Sequence, residues 1–484
     1  MDLRAVLLAM GIMTALLGLA MVPSAVLDVI DGRSDWGIFA MSAFLAILAG
    51  GVVYMLTRGN RPPRTGQREA FLLTVLVWAV LPLVAAVPFI GSGMGFTNAM
   101  FESISGLTTT GATVMTGLDD QPRGLLLWRA ILQWIGGIGI IVTAIAILPG
   151  LRVGGMQLFQ LESSDQSGKF LPRVADIAAQ TGFVYLILSA LCALGYLSAG
   201  MGSFDAVAHA MTTVAAGGYS THDASFRVFA DSGAMYVAMV FMFAAGLPFS
   251  LLALALLRGR PARLFTDSQP RLYAILLIVF TALVVTLARQ QDAVPFEGDA
   301  DLLSHALFNV ISIMTGTGYA SADYDLWGDP VVICFLVLTF LGGCAGSAAC
   351  GIKMFRLEIS IKAVMAHAQR VIRPHQLAPV RYNGRVVDED TLQSVMVFVW
   401  LYVGTFLIAA VLIGTQVDDP LTAISAAATS VSNVGPGLGA EIGPNGTFQT
   451  LSVFAKWVCA IAMLLGRLEF IAVFVVLSRR FWQG

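Results

Sequence analysis

Hydrophobic and polar positions fall into long blocks along this chain, not into the short alternation of a water-facing surface and a core. At 1.5 Å of rise per residue a helix needs about 20 apolar residues to cross a hydrocarbon core. Runs of that size recur ten times, over Ala5–Leu27, Gly37–Thr57, Ala70–Phe89, Leu125–Leu148, Ile177–Ala199, Met235–Leu257, Arg271–Leu287, Pro330–Ala366 (interrupted), Gln393–Ile413 and Leu451–Leu477. The pattern predicts an all-α polytopic membrane protein with ten transmembrane helices. The first run has an Arg4 flank like that of a secretory signal, but no small-residue cleavage site precedes Asp28, so it reads as a span.

The polar segments carry the orientation. Arg58, Arg61, Arg64 and Arg68 follow the second run, Arg152, Lys169 and Arg173 the fourth, and Arg258, Arg260 and Arg263 the sixth. Arg370, Arg373, Arg381 and Arg385 follow the eighth, and Arg479 with Arg480 close the chain. Cytoplasmic loops collect Lys and Arg, so every second loop and both termini are expected inside. The opposite loops are acidic, with Asp28, Asp31 and Asp35, then Asp119 and Asp120, Glu297, Asp299 and Asp301, Asp323, Asp325 and Asp329, and Asp418 with Asp419. Acid at an outer mouth raises the local cation concentration; ordinary loop solubility explains any single cluster as well.

Four of the outer connections are too long for turns and too apolar for solvated loops: Phe96–Met115, Phe204–Tyr219, Leu302–Ala320 and Leu421–Gly437. Each opens with a helix-compatible segment that covers only about half a bilayer and closes on small Thr, Ser and Gly residues. They are expected to enter and leave the membrane from the outer side. Their ends align as Thr109-Thr110-Gly111, Ala215-Ala216-Gly217, Gly316-Thr317-Gly318 and Asn433-Val434-Gly435. A self-similarity of fixed period marks repeated structural units. The units predicted are 69–165, 166–265, 266–385 with a broken second helix, and 386–484, preceded by two additional N-terminal spans in 1–68.

Non-helical backbone at membrane depth survives only inside protein or beside water, and four such pieces on one axis meet that condition by lining a pore. Extended backbone with small side chains can present successive carbonyls in place of an ion's hydration shell. The C-terminal ends of short helices add a negative dipole. No acidic side chain lies in the four glycine-centred ends, which suits a monovalent alkali ion held by backbone oxygens with help from Thr hydroxyls. Small residues also serve helix packing, but four glycines at one point of four equal units fit a filter better.

Composition narrows the alternatives. The 484 residues are 57% hydrophobic and 12% charged, with Lys+Arg 28 against Asp+Glu 30, against about 25% charged in soluble proteins. There is no basic excess for nucleic acid, the five Cys have no paired spacing, and no GxxxxGK[ST] phosphate loop is present. His209, His222, His305, His367 and His375 are scattered without ligand spacing, and no nucleotide site is expected on this chain. An enzyme is not indicated.

The four glycine-centred stretches, together with Gln133-Trp134-Ile135-Gly136-Gly137-Ile138-Gly139, Gly342-Gly343-Cys344-Ala345-Gly346-Ser347 leading to Gly351-Ile352-Lys353, and Leu464-Leu465-Gly466-Arg467-Leu468-Glu469, carry a resemblance. From about Ala70 to its end the chain resembles the superfamily of K+ transporters built from four fused channel-like repeats. The two extra N-terminal spans resemble its TrkH branch, the bacterial K+ uptake systems, and not the shorter KtrB-like branch. The resemblance implies K+ as the permeant ion, a homodimer, a bacterial inner-membrane location and a ring of cytosolic nucleotide-binding TrkA-like subunits. For those subunits the basic stretch Ile361–Arg385 is the expected docking surface. Plant relatives with Ser in the first repeat favour Na+, whereas this chain has Gly in all four. It departs at Val214-Ala215-Ala216-Gly217, where relatives often carry a hydroxyl or amide residue before the Gly, which implies weaker selection on that side.

The eighth run is broken by Gly342, Gly343, Gly346, Ser347 and Gly351, at about 1 kcal/mol of helix stability per Gly, and predicts a loop inside the membrane. Arg467 lies twelve residues before Arg479, or roughly 18 Å from the inner surface along one straight helix. A guanidinium at that depth needs a cavity or a partner. It is a gate candidate, repelling cations and binding loop carbonyls, and the resemblance implies the same role; the other reading is an ion pair with Glu469 or Glu102. Lys456 on the same helix either pairs with Glu102 or snorkels outward. A secondary K+/H+ or K+/Na+ symporter is the alternative function, although transporters of that kind usually carry inverted repeats.

Overall fold

The apolar runs form helices, and several of those helices are broken within the run. The computed structural model describes residues 1–59, 66–146, 170–291, 296, 298–375, 378–468 and 470–483, with backbone only for 140–146 and 170–177. Long helices occupy Leu3–Ala20, Trp36–Thr57, Gln67–Ala85, Arg123–Ala146, Phe170–Ser198, Ser268–Arg289 and Glu389–Gly414. Among the described residues, six helical segments are long and apolar enough to cross a membrane, and two sharply bent pairs would make eight. Their outward faces stay apolar, with Leu56 80% and Trp400 78% exposed, as lipid contact requires. The first and second long helices cross in near contact, since a Cβ on Gly50 would lie 2.5 Å from the Gly11 carbonyl.

Two of the runs expected as straight spans are bent. Met235–Leu257 resolves into Ala234–Ala245 and Phe249–Arg258 at 106°. Pro248 has no N–H and disfavours helix at Leu247. The carbonyls that the break frees, Ala245 and Gly246, accept from the N–H of Ala348 (3.1 Å) and of Cys344 (2.9 Å). Leu451–Leu477 resolves into Val453–Arg467 and Ile471–Leu477 at 104°, with Phe470 at φ 38°. Arg467 therefore ends a helix, and the depth counted along a straight span to Arg479 does not hold. The eighth run divides into Asp329–Phe340 and Met354–Ile372 around a non-helical 341–353.

Four short helices, Phe96–Leu107, Ser203–Val214, Asp299–Thr315 and Pro420–Ser432, lie in the middle of the molecule. Two large apolar cores flank them. One joins residues of 184–354 with Val434 and Leu438; the other joins the N-terminal helices and first short helix to 398–470. The basic segment after Met354–Ile372 contains a hairpin that periodicity did not reveal, Arg381–Tyr382 paired with Arg385–Val386. Its Asn383-Gly384 turn has φ 44° and 81°, the two positive angles that a type I′ turn needs.

Candidate functional site

Each short helix ends in the same hydrogen-bonded turn. The N–H of Thr110, Gly217, Thr317 and Val434 donates to the carbonyl of Ser105 (2.9 Å), Thr212 (3.0 Å), Ser312 (2.9 Å) and Thr429 (3.0 Å) respectively. On either side of that residue φ is positive, at 51° and 87° for Thr109 and Gly111, 51° and 70° for Ala216 and Gly218, 76° and 79° for Gly316 and Gly318, and 55° and 110° for Asn433 and Gly435. The backbone thus aligns Gly111, Gly218, Gly318 and Gly435. Gly217, placed at that point by the sequence alignment, instead matches Thr110, Thr317 and Val434, and Ala215 moves one place out of the stretch. A Gly-Gly pair gives sequence no means of choosing; the Tyr that follows both Gly218 and Gly318 is the signal that would have chosen correctly.

The four stretches close on one another. A Cβ on Gly111 would lie 2.1 Å from the Gly217 carbonyl, on Gly218 1.8 Å from that of Thr317, on Gly318 2.2 Å from that of Val434, and on Gly435 2.8 Å from that of Thr110. Each glycine therefore abuts the equivalent carbonyl of the next stretch, and the fourth returns to the first. All four glycines line one cavity of about 60 Å³. Alternating left- and right-handed backbone turns successive N–H groups to one side. Here the central N–H of each stretch is tied back into its short helix, leaving uncharged carbonyl oxygens, the ligands that a dehydrated alkali cation requires.

Buried side chains hold this arrangement. Gln133 donates from Nε2 to the Gly217 carbonyl (2.7 Å) and accepts from the Tyr219 N–H (3.0 Å). Asn433 donates from Nδ2 to Thr110 Oγ1 and to the Met463 carbonyl, both at 2.9 Å. Glu102 does not meet Lys456. It pairs with Arg129 at 2.8 Å, both side chains at most 1% exposed, while Lys456 Nζ reaches Asn98 Oδ1 (3.0 Å) and the Gln449 carbonyl (2.8 Å). Sequence reasoning passed over Arg129 because one Arg near the end of a span looks like an ordinary membrane anchor.

The glycine-rich segment 341–353 packs against the N-terminal ends of the stretches, where the short helices finish. Cys350 donates from its N–H to the Thr315 carbonyl (3.1 Å), and its Sγ lies 3.9 Å from the Thr109 carbonyl. Gly351, at φ 70°, donates to the Ser432 carbonyl (2.9 Å). Gly342 bonds to the Ile352 carbonyl (3.0 Å), Gly343 accepts from Met354 (3.0 Å), Gly346 from Phe249 (3.0 Å), and Ser347 Oγ caps Cys344 at 2.6 Å. Arg467 is 6% exposed and donates from Nη1 to Cys350 Sγ at 2.9 Å. Its Nε and Nη2 are buried with no hydrogen-bond partner among the described residues. Arg129 already holds Glu102, and Glu469 lies outside the described residues.

A polytopic helical protein with a closed ring of backbone carbonyls belongs to the class of membrane cation transporters. The comparisons agree: the TrkH family, described as cation transport protein, matches residues 37–483, and the chain belongs to that family. It is a transport protein and not an enzyme. It is 37% identical over 481 residues to the Trk system potassium uptake protein TrkI of Halomonas elongata, covering 99% of this chain and 96% of that one. With TrkH of Escherichia coli it shares 33% over 489 residues, and all of both chains is covered. Against the crystal structure of the potassium transporter TrkH from Vibrio parahaemolyticus the TM-score is 0.90 at 32% identity, again over all of both chains.

Proposed function

We propose that this chain takes K+ up across a bacterial inner membrane through the ring formed by Thr109–Gly111, Ala216–Gly218, Gly316–Gly318 and Asn433–Gly435. The observation that carries the reading is the closure of that ring, glycine against carbonyl, through all four stretches. Four fused repeats, each a span, a short helix, a filter stretch and a span, supply one strand apiece, behind two extra N-terminal helices. The filter faces outside and both termini face the cytoplasm, in keeping with the alternation of Arg-rich and acidic loops.

The gate is the 341–353 loop with Arg467. The loop bonds to the inner ends of three stretches, and the guanidinium behind it repels cations in a low-dielectric site. Arg467→Ala is expected to raise K+ flux from proteoliposomes; unchanged or lower flux in correctly folded protein would exclude the gate. The relatives' names place them in a Trk system, which supports a cytosolic nucleotide-binding TrkA-like ring docked at the Ile361–Arg385 surface, and a homodimer. The reversal potential with K+ on one side and Na+ on the other, taken at several pH values, tests the whole reading. A value near the K+ potential at every pH supports a pore; one that follows the proton gradient means K+/H+ symport.

A further inference from the structure

The ring has a fourfold backbone but not a fourfold scaffold. Three residues before the turn carbonyls of Ser105, Thr212, Ser312 and Thr429, the short helices carry Glu102, His209, Asn309 and Ala426. His209 Nε2 lies 3.0 Å from Ser220 Oγ, and Asn309 Oδ1 accepts from the Ser321 N–H at 3.1 Å. Only the first position is a carboxylate, and it faces a buried guanidinium. Glu102 accepts through Oε1 from Arg129 Nε (2.8 Å) and through Oε2 from the Val114 N–H (3.0 Å), and its oxygens also take the Thr113 hydroxyl at 3.0 and 3.1 Å. Arg129 continues across the junction, from Nη1 to the Ser220 carbonyl (2.9 Å) and from Nη2 to Thr113 Oγ1 (3.1 Å), with its guanidinium 4.1 Å above the Tyr219 ring.

Thr113 and Ser220 each stand two residues beyond their ring glycine, Gly111 and Gly218. One planar guanidinium therefore grips the same point of two adjacent strands, and Arg129, Thr113 and Ser220 line the cavity that the four glycines line. We propose that the Glu102–Arg129 pair is the positioning element for ion discrimination at the junction of the first two repeats, holding their strands at the separation that fits K+. The inference rests on the ring being the K+ filter. Two arguments favour this role over simple stabilisation. A buried ion pair is no more stabilising than apolar packing of the same volume. And a rigid fork of donors fixes distances that a hydrophobic contact leaves adjustable. With the fork gone, the strands close in on the smaller ion, and Na+ gains.

The test uses the full chain in proteoliposomes, with reversal potentials read between K+ and Na+. Wild type comes first: absence of K+ preference there overturns the filter reading itself. Given a K+-selective wild type, Arg129→Lys keeps the charge and loses the fork, and the double variant E102Q/R129Q leaves no unpaired buried charge. Both are expected to conduct, with the K+/Na+ permeability ratio reduced about tenfold, equivalent to about 1.4 kcal/mol of discrimination. Arg123→Gln, which breaks the exposed pair with Asp31, is expected to leave the ratio unchanged. A wild-type ratio in both pair variants overturns the proposal. So does monodisperse protein that conducts neither ion, because the pair would then be a condition for an open path and not for discrimination. Arg129→Lys decides alone where the double variant yields no folded protein.

Discussion

Gly217 and Gly218 are neighbours with different duties. Gly218 has φ 70°, and a Cβ there would stand 1.8 Å from the Thr317 carbonyl; at Gly217, where φ is not positive, it would meet the Gln133 side chain at 2.8 Å. Strained backbone alone costs about 1–3 kcal/mol, so Gly218→Ala is expected to cut K+ flux at least about fivefold, and Gly217→Ala distinctly less, in the same flux assay. Sequence located the stretches but not this one-residue register, because the two residues are chemically identical and differ in backbone conformation, positive φ falling on Gly218 and not on Gly217. The histidines were equally silent in sequence, yet His222 ties the mouths of two stretches together. Its ring lies between Asp205 (3.8 Å) and Asp119, which raise its pKa from 6.5 to about 9. The folded protein thus holds a proton that the unfolded chain releases near 6.5. The stabilisation is complete below that pH and lost as pH rises through about 9. Thermal stability measured across that window should fall for wild type and stay flatter for His222→Asn.

At the scale of elements, breaks matter more than spans. The sequence announced the 341–353 loop through its glycines, but it did not announce the bends at Pro248 and Phe470, because neither interrupts the hydrophobicity on which span-finding depends. The bend at Pro248 frees the Ala245 and Gly246 carbonyls that the loop then occupies, so one broken helix makes the binding site for another. Two of the loop's glycines, Gly346 and Gly351, hold positive φ, at 73° and 70°. Gly351→Ala sets a β-carbon at φ 70°, 3.1 Å from the Gly342 nitrogen, and destabilises the closed arrangement by about 1–3 kcal/mol. It is expected to raise K+ flux as Arg467→Ala does, and flux equal to wild type would free the loop of a gating role.

At the scale of the whole molecule, hydrophobic blocks and Lys/Arg alternation made the membrane class readable, and self-similarity pointed to four units. What joins the stretches was not readable, because the ring contacts bring together backbone atoms from positions far apart in the chain. On the proposed filter, one cavity shared by four stretches makes one path. Gly318→Ser or Gly435→Ser, each altering a single stretch, is expected to alter nearly all of the flux and not a quarter of it, as read by the reversal potential and rate in one proteoliposome preparation.

The same ring has a consequence for how the protein is made. Its last joint is between Gly435 and Thr110, and Asn433 bonds to Thr110 across 323 residues of sequence. During synthesis at about 5–20 residues per second, the first stretch waits roughly 15–65 s for the strand that completes the circle. A nascent chain holding one, two or three stretches has no closed ring, so on the proposed function the cell inserts most of this protein before any K+ path exists to dissipate its gradients.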